Sequence, residues 1–176
     1  SVGGYTALAL AGAIYNPQKM ADYCAHVKNA QDCSLAQGAS LADVDFSQAD
    51  ASYRDKRVAA VLAMAPALGQ GIDVDSLAQI EIPVLIIAAL DDELLPLALN
   101  AQVYAQNITG ARLSELKRGG HFVFMPECSF MGKVFTYFHR FDICGHRTST
   151  ANTRAKDHAE IERQALAFFS TNIPVK

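Results

Sequence analysis

Several features that would narrow the function at once are missing from this chain. It has no apolar run long enough to cross a bilayer. The longest, VAAVLAMAPAL over 58–68 and IPVLIIAAL over 82–90, fall short of the about 20 residues a spanning helix needs, so no integral membrane segment is expected. No basic stretch precedes an apolar one at the start, so no signal peptide is visible. A net charge of −3 and a pI near 5.9 give no electrostatic footprint for nucleic acid. The short basic cluster from Arg54 to Arg57 reads as solvated surface. There is no C-x-x-C pair to suggest zinc, no internal repeat, and no signal for a metal or organic cofactor.

What is present fits one domain with one sizeable core: 176 residues, of which 51% are hydrophobic. The four cysteines, Cys24, Cys33, Cys128 and Cys144, lie in polar, loop-like sequence. They allow three connectivities. Local pairing, Cys24 with Cys33 and Cys128 with Cys144, is the expected one, and it suits a periplasmic or secreted protein. Four reduced thiols in a cytoplasmic protein are the alternative.

Along the chain, 5–15 (YTALALAGAIY) reads as a helix stopped by Pro17. Residues 18–54 form a polar excursion of loop and short helix. A buried strand is expected over 57–66, then a loop with a short helical piece to 80. The clearest strand lies over 81–89 (EIPVLIIAA), apolar on both faces as in a covered parallel sheet. A helix over 97–106, a third strand over 111–116, a helix through 130–139 and a long helix over 155–170 follow. This is an α/β order with only three strands. The strand at 57–66 has no earlier neighbour to pair with, which would leave backbone groups unsatisfied in a core. The expectation is therefore a single partial domain over 1–176 whose N-terminal half is missing, as a separate chain or through the way the sequence is delimited.

Three stretches carry chemistry. The opening, S-V-G-G-Y, is similar to the second half of a G-x-S-x-G nucleophile elbow, with Ser1 as the serine and Gly3 as the final glycine. The upstream glycine and its feeding strand are not in the sequence. The strand over 81–89 runs into D-D-E-L-L-P, which resembles an acid motif G-x-x-D-x-x-x-P with Ala89 at the glycine, Asp92 at the acid and Pro96 at the proline. Asp91 lies one residue early and Glu93 is a third carboxylate, so Asp91 against Asp92 stays open. The plain alternative for Asp92 is a cap for the helix that follows. Then G-G-H-F-V-F sets His121 after the last strand, in a glycine-bounded loop. His26, His139 and His158 fit a base less well, and His146 is the rival because its loop also contains glycine.

The order Ser, Asp, His resembles that of the α/β-hydrolase superfamily. The H-F-x-F run, Cys128 shortly after it and A-F-F over 167–169 are similar to the dienelactone-hydrolase-like and platelet-activating-factor-acetylhydrolase-like esterases. The resemblance implies the C-terminal half of an α/β-hydrolase fold and a serine ester hydrolase. Ser1 would be nucleophile, His121 base, Asp92 its orienting acid, and the Val2 N–H half of the oxyanion hole. The second donor would come from a loop outside this chain. Phe122 and Phe124, with Met125 and Phe130, would line a pocket for small esters or short-acyl lipids, or else pack the last helix onto the sheet. Two other readings remain: a non-catalytic binding module on the same scaffold, and an N-terminal nucleophile hydrolase in which the Ser1 amine activates its own hydroxyl.

Overall fold

The computed structural model describes residues 1–27, 33, 47–136, 143–144 and 154–173. Its centre is the strand VLIIAA, β4 (Val84–Ala89), every residue of which is buried. β2 (Val61–Met64) and β5 (Arg112–Leu116) flank it, and both pairings are parallel. In register, Val61 faces Val84 and Leu85 faces Arg112. The fold class is α/β, with three parallel strands in one sheet as the sequence led us to expect.

Alternation along β4 divides the core in two. Val84, Ile86 and Ala88 pack with Leu8, Val61 and Tyr104 on one face. Leu85, Ile87 and Ala89 pack with Leu116 and Phe168 on the other. The first face is covered by α1 (Val2–Ala11) and the second by α6 (Arg154–Asn172). Between them in sequence lie α2 (Pro17–His26), α3 (Val74–Ala78), α4 (Ala101–Asn107) and α5 (Phe130–Thr136).

Several expected boundaries move, each for a local reason. The first helix ends at Ala11, because Gly12 takes φ 126° and its N–H closes onto Leu8 and Ala9 carbonyls. Ile14–Tyr15 is instead a short strand, β1, antiparallel to β3 (Ile72–Asp73). Pro17 does not stop a helix; it opens α2, with the Asn16 side chain accepting the Lys19 N–H at 2.9 Å. The strand expected over 57–66 is confined to Val61–Met64. Upstream of it, Val58 N–H turns back to the Asp55 carbonyl, and downstream Ala65 has φ 40°. Asp55 and Arg57, from the short basic cluster, form an exposed ion pair at 2.6 Å that holds the Asp55 carboxyl down to about 2.

The helix expected over 97–106 is a single 3-10 turn at Leu97–Leu99 followed by α4. The loop expected over 67–80 contains a 3-10 turn at Gly69–Gly71, then β3 and α3. The helix expected through 130–139 is described to Thr136. Position 139 and position 146, the sites of two histidines considered above, lie outside the described residues. Disulfides join Cys24 to Cys33 and Cys128 to Cys144. Among the described residues no helix is long and apolar enough to cross a membrane.

Candidate functional site

The carboxyl ends of parallel strands are where α/β sheets assemble their sites, and three candidate residues gather there. Ser1 is the cap position of α1, yet its side chain makes no capping hydrogen bond. Its carbonyl accepts the Tyr5 N–H at 3.1 Å and the Ala67 N–H at 3.3 Å, which ties the turn to the end of β2. The close approach of α1 to that strand depends on Gly4 rather than Gly3. A Cβ at Gly4 would stand 2.7 Å from the Met64 carbonyl oxygen, whereas one at Gly3 would meet nothing within 4 Å. Val2 is the first residue of α1, so no helical carbonyl competes for its N–H.

Asp92 lies in the turn just after β4, three residues beyond Ala89, and its side chain is 1% exposed. Its two oxygens do different things. Oδ1 accepts the N–H groups of Leu94 at 3.0 Å and Leu95 at 2.7 Å, closing the turn after the strand. Oδ2 lies 2.8 Å from Nδ1 of His121, whose side chain is 11% exposed. A hydrogen bond to a carboxylate at Nδ1 leaves the other ring nitrogen as the one that can take a proton. The helix cap considered for Asp92 is not what it forms: the 3-10 turn at Leu97–Leu99 has Pro96 at its cap position and α4 has Asn100, so Oδ1 closes only its own turn while Oδ2 pairs with His121. Asp91 is exposed.

His121 opens a short 3-10 turn, His121–Phe124. Gly119 before it has φ 100°, a left-handed conformation suited to glycine. A Cβ at Gly120 would collide with the Glu93 carboxylate, which also accepts the His121 N–H at 3.4 Å. The third carboxylate of D-D-E thus packs against the histidine turn, a contact that the run of acids alone does not reveal.

Ser1 and His121 line one cleft of about 420 Å³, together with Gly3, Gly4, Leu62, Met64, Phe122, Phe124 and Met125. Among the described residues no hydrogen bond joins Ser1 Oγ to the His121 ring; such bonds commonly tighten only with substrate in place. Phe122 meets the His121 ring edge-on at 5.3 Å and packs on Ala67, Leu94 and Leu95. Phe124 packs on the cluster that holds α6 to the sheet. Both phenylalanines line the cleft, but only Phe124 also packs the last helix onto the sheet; Phe122 packs on the acid turn instead. Phe130 does neither: it is 78% exposed and outside the cleft. Leu62 and Met64 line the cleft without having been singled out in the sequence, though their place near the carboxyl end of a parallel strand is the signal for them.

A larger groove, about 490 Å³, lies between α6 and the amino ends of β4 and β5 and holds none of the three candidates. Of the other described histidines, His26 bonds the Asp22 carbonyl in α2, and His158 of α6 bonds the Val123 carbonyl at 2.8 Å. Among the described residues no group of three His, Cys, Asp or Glu side chains is placed to hold a metal.

No family model matches the chain, and no curated protein matches it. Among solved structures it is similar to a predicted CIB-like hydrolase from Thermoplasma acidophilum, at 26% identity and a TM-score of 0.36. That match covers 46% of this chain and 38% of the other, so the chain spans well under half of that protein's length.

Proposed function

We propose that the chain carries the nucleophile, base and acid of a serine ester hydrolase: Ser1, His121 and Asp92. The observation that carries this reading is the 2.8 Å contact between His121 Nδ1 and a buried Asp92 oxygen, on a histidine that shares an apolar cleft with Ser1. In the reaction, Ser1 Oγ attacks the ester carbonyl carbon while Nε2 of His121 takes its proton. Asp92 keeps the remaining ring proton on Nδ1 and stabilises the imidazolium. The Val2 N–H donates to the oxyanion, an interaction worth about 3–4 kcal/mol per donor in a comparable site. The imidazolium returns its proton to the departing alcohol, leaving an acyl group on Ser1. Water, deprotonated by the same histidine, then releases the acid.

The lining by Leu62, Met64, Phe122, Phe124 and Met125 supports small, uncharged esters or short-acyl lipids as substrates. The reading includes a partner segment, the N-terminal half of the same fold. It would supply the second oxyanion donor and a strand beside β2, which among the described residues pairs only with β4. It also includes export to an oxidising compartment, which the two disulfides support. An N-terminal nucleophile mechanism would leave the Asp92–His121 pair without a task.

The test is hydrolysis of a series of p-nitrophenyl esters by the full protein and by S1A. The reading expects turnover that falls with increasing acyl length and is lost in S1A. Turnover that survives in S1A would reject it.

A further inference from the structure

The loop between β2 and the 3-10 turn at Gly69 touches all three catalytic elements. Its Ala67 N–H is bonded to the Ser1 carbonyl. Its Ala67 side chain packs on Leu94 and Leu95 of the acid turn, and Phe122 of the histidine turn joins the same cluster. The loop also holds two non-glycine residues in left-handed backbone conformations, Ala65 at φ 40° and Leu68 at φ 68°. Such residues persist only where their surroundings dictate them.

Part of what dictates them comes from α4. Asn100 at its start, 1% exposed, accepts the Gly69 N–H through Oδ1 at 3.1 Å. Tyr104, wholly buried, donates its hydroxyl to the Ala67 carbonyl at 2.5 Å. Packing in that cluster of aliphatic side chains calls only for an aromatic ring, which phenylalanine would supply without the cost of burying a hydroxyl. The hydroxyl instead holds the peptide segment at Ala67, whose N–H bonds the nucleophile turn.

We infer that Tyr104 is a positioning residue: through Ala67 it fixes the height of the Ser1 turn relative to the Asp92–His121 pair. The inference rests on the serine-hydrolase reading and extends it to a residue that touches neither substrate nor the reacting atoms. α4 follows the acid turn in the chain, so one helix sets both the acid, by connection, and the nucleophile, by the Tyr104–Ala67–Ser1 relay.

The experiment compares full protein, Y104F and Q70A at a temperature well below the melting point of each. Gln70 serves as control because its side chain bonds the Leu99 carbonyl from the neighbouring turn and has no link to Ser1. Y104F is expected to lower kcat about tenfold on a short-acyl p-nitrophenyl ester with KM unchanged, since small misplacements of a nucleophile act on the chemical step. The rate of fluorophosphonate labelling should fall in the same proportion. Q70A should lower the melting temperature and leave kcat within twofold. Wild-type kcat in Y104F overturns the inference, and so does a Y104F protein that does not fold, because the hydroxyl would then serve the fold. A wild-type protein that neither turns over esters nor labels overturns the hydrolase reading, and the inference with it.

Discussion

Asp92 separates its two tasks by oxygen, one closing its own turn and one reaching His121. An amide in its place could keep the turn but would present Nδ1 with the wrong partner or favour the wrong tautomer. D92N is therefore expected to lower kcat by about 10³–10⁴-fold, while D91N, altering an exposed side chain, stays within about twofold; steady-state kinetics on both variants check this. The choice between the two aspartates was not legible in the sequence. Both follow the same strand, and only the path of the turn decides which one is directed inward. The place of His121 in a turn after the last strand was legible because glycines at 119 and 120 announce a sharp loop there. Glu93 was not, because its contact with Gly120 crosses 27 residues of chain.

At the level of elements, the apolar strand over 84–89 was plain from its composition, since a run without alternation suits a strand covered on both faces. The two-residue strands β1 and β3 lie below any periodic signal, and β1 was absorbed into a helix rich in alanine and leucine. Gly12, rather than Pro17, carried the information about where that helix stops. Gly4 illustrates the same lesson for packing. Adjacent glycines at 3 and 4 look equivalent in sequence, but only Gly4 lies against the β2 backbone. G4A is expected to cost about 1–3 kcal/mol in stability through overpacking and to lower kcat, as α1 moves away from Met64 and carries Ser1 with it. G3A should do neither. Thermal melts alongside kinetics separate the two.

Across the whole molecule, the histidine turn is held from behind by α6. The Arg154 guanidinium donates to the carbonyls of Pro126 at 3.2 Å and Ile143 at 3.0 Å, and His158 bonds the Val123 carbonyl. The Cys128–Cys144 bond closes the intervening chain with a sequence separation of 16. A loop of that length is worth about 3 kcal/mol by restricting the unfolded chain. The double variant C128S/C144S is expected to lose about 2–4 kcal/mol in chemical denaturation and keep kcat within a few-fold, because Arg154 and His158 still hold the turn. The placing of the four cysteines favoured the local pairing found but did not select it from three connectivities. The clasp by α6 gave no signal at all: an arginine and a histidine on a mostly polar helix look like solvated surface until the fold brings carbonyls to them.

The central claim is that Ser1 is a nucleophile activated by the His121–Asp92 pair. It is tested most directly by treating the full protein and H121A with a fluorophosphonate, digesting, and locating the adduct by mass. The account predicts one adduct, on the peptide containing Ser1, formed at least about a hundredfold more slowly in H121A. An adduct elsewhere, or labelling of Ser1 at the same rate without His121, would contradict it.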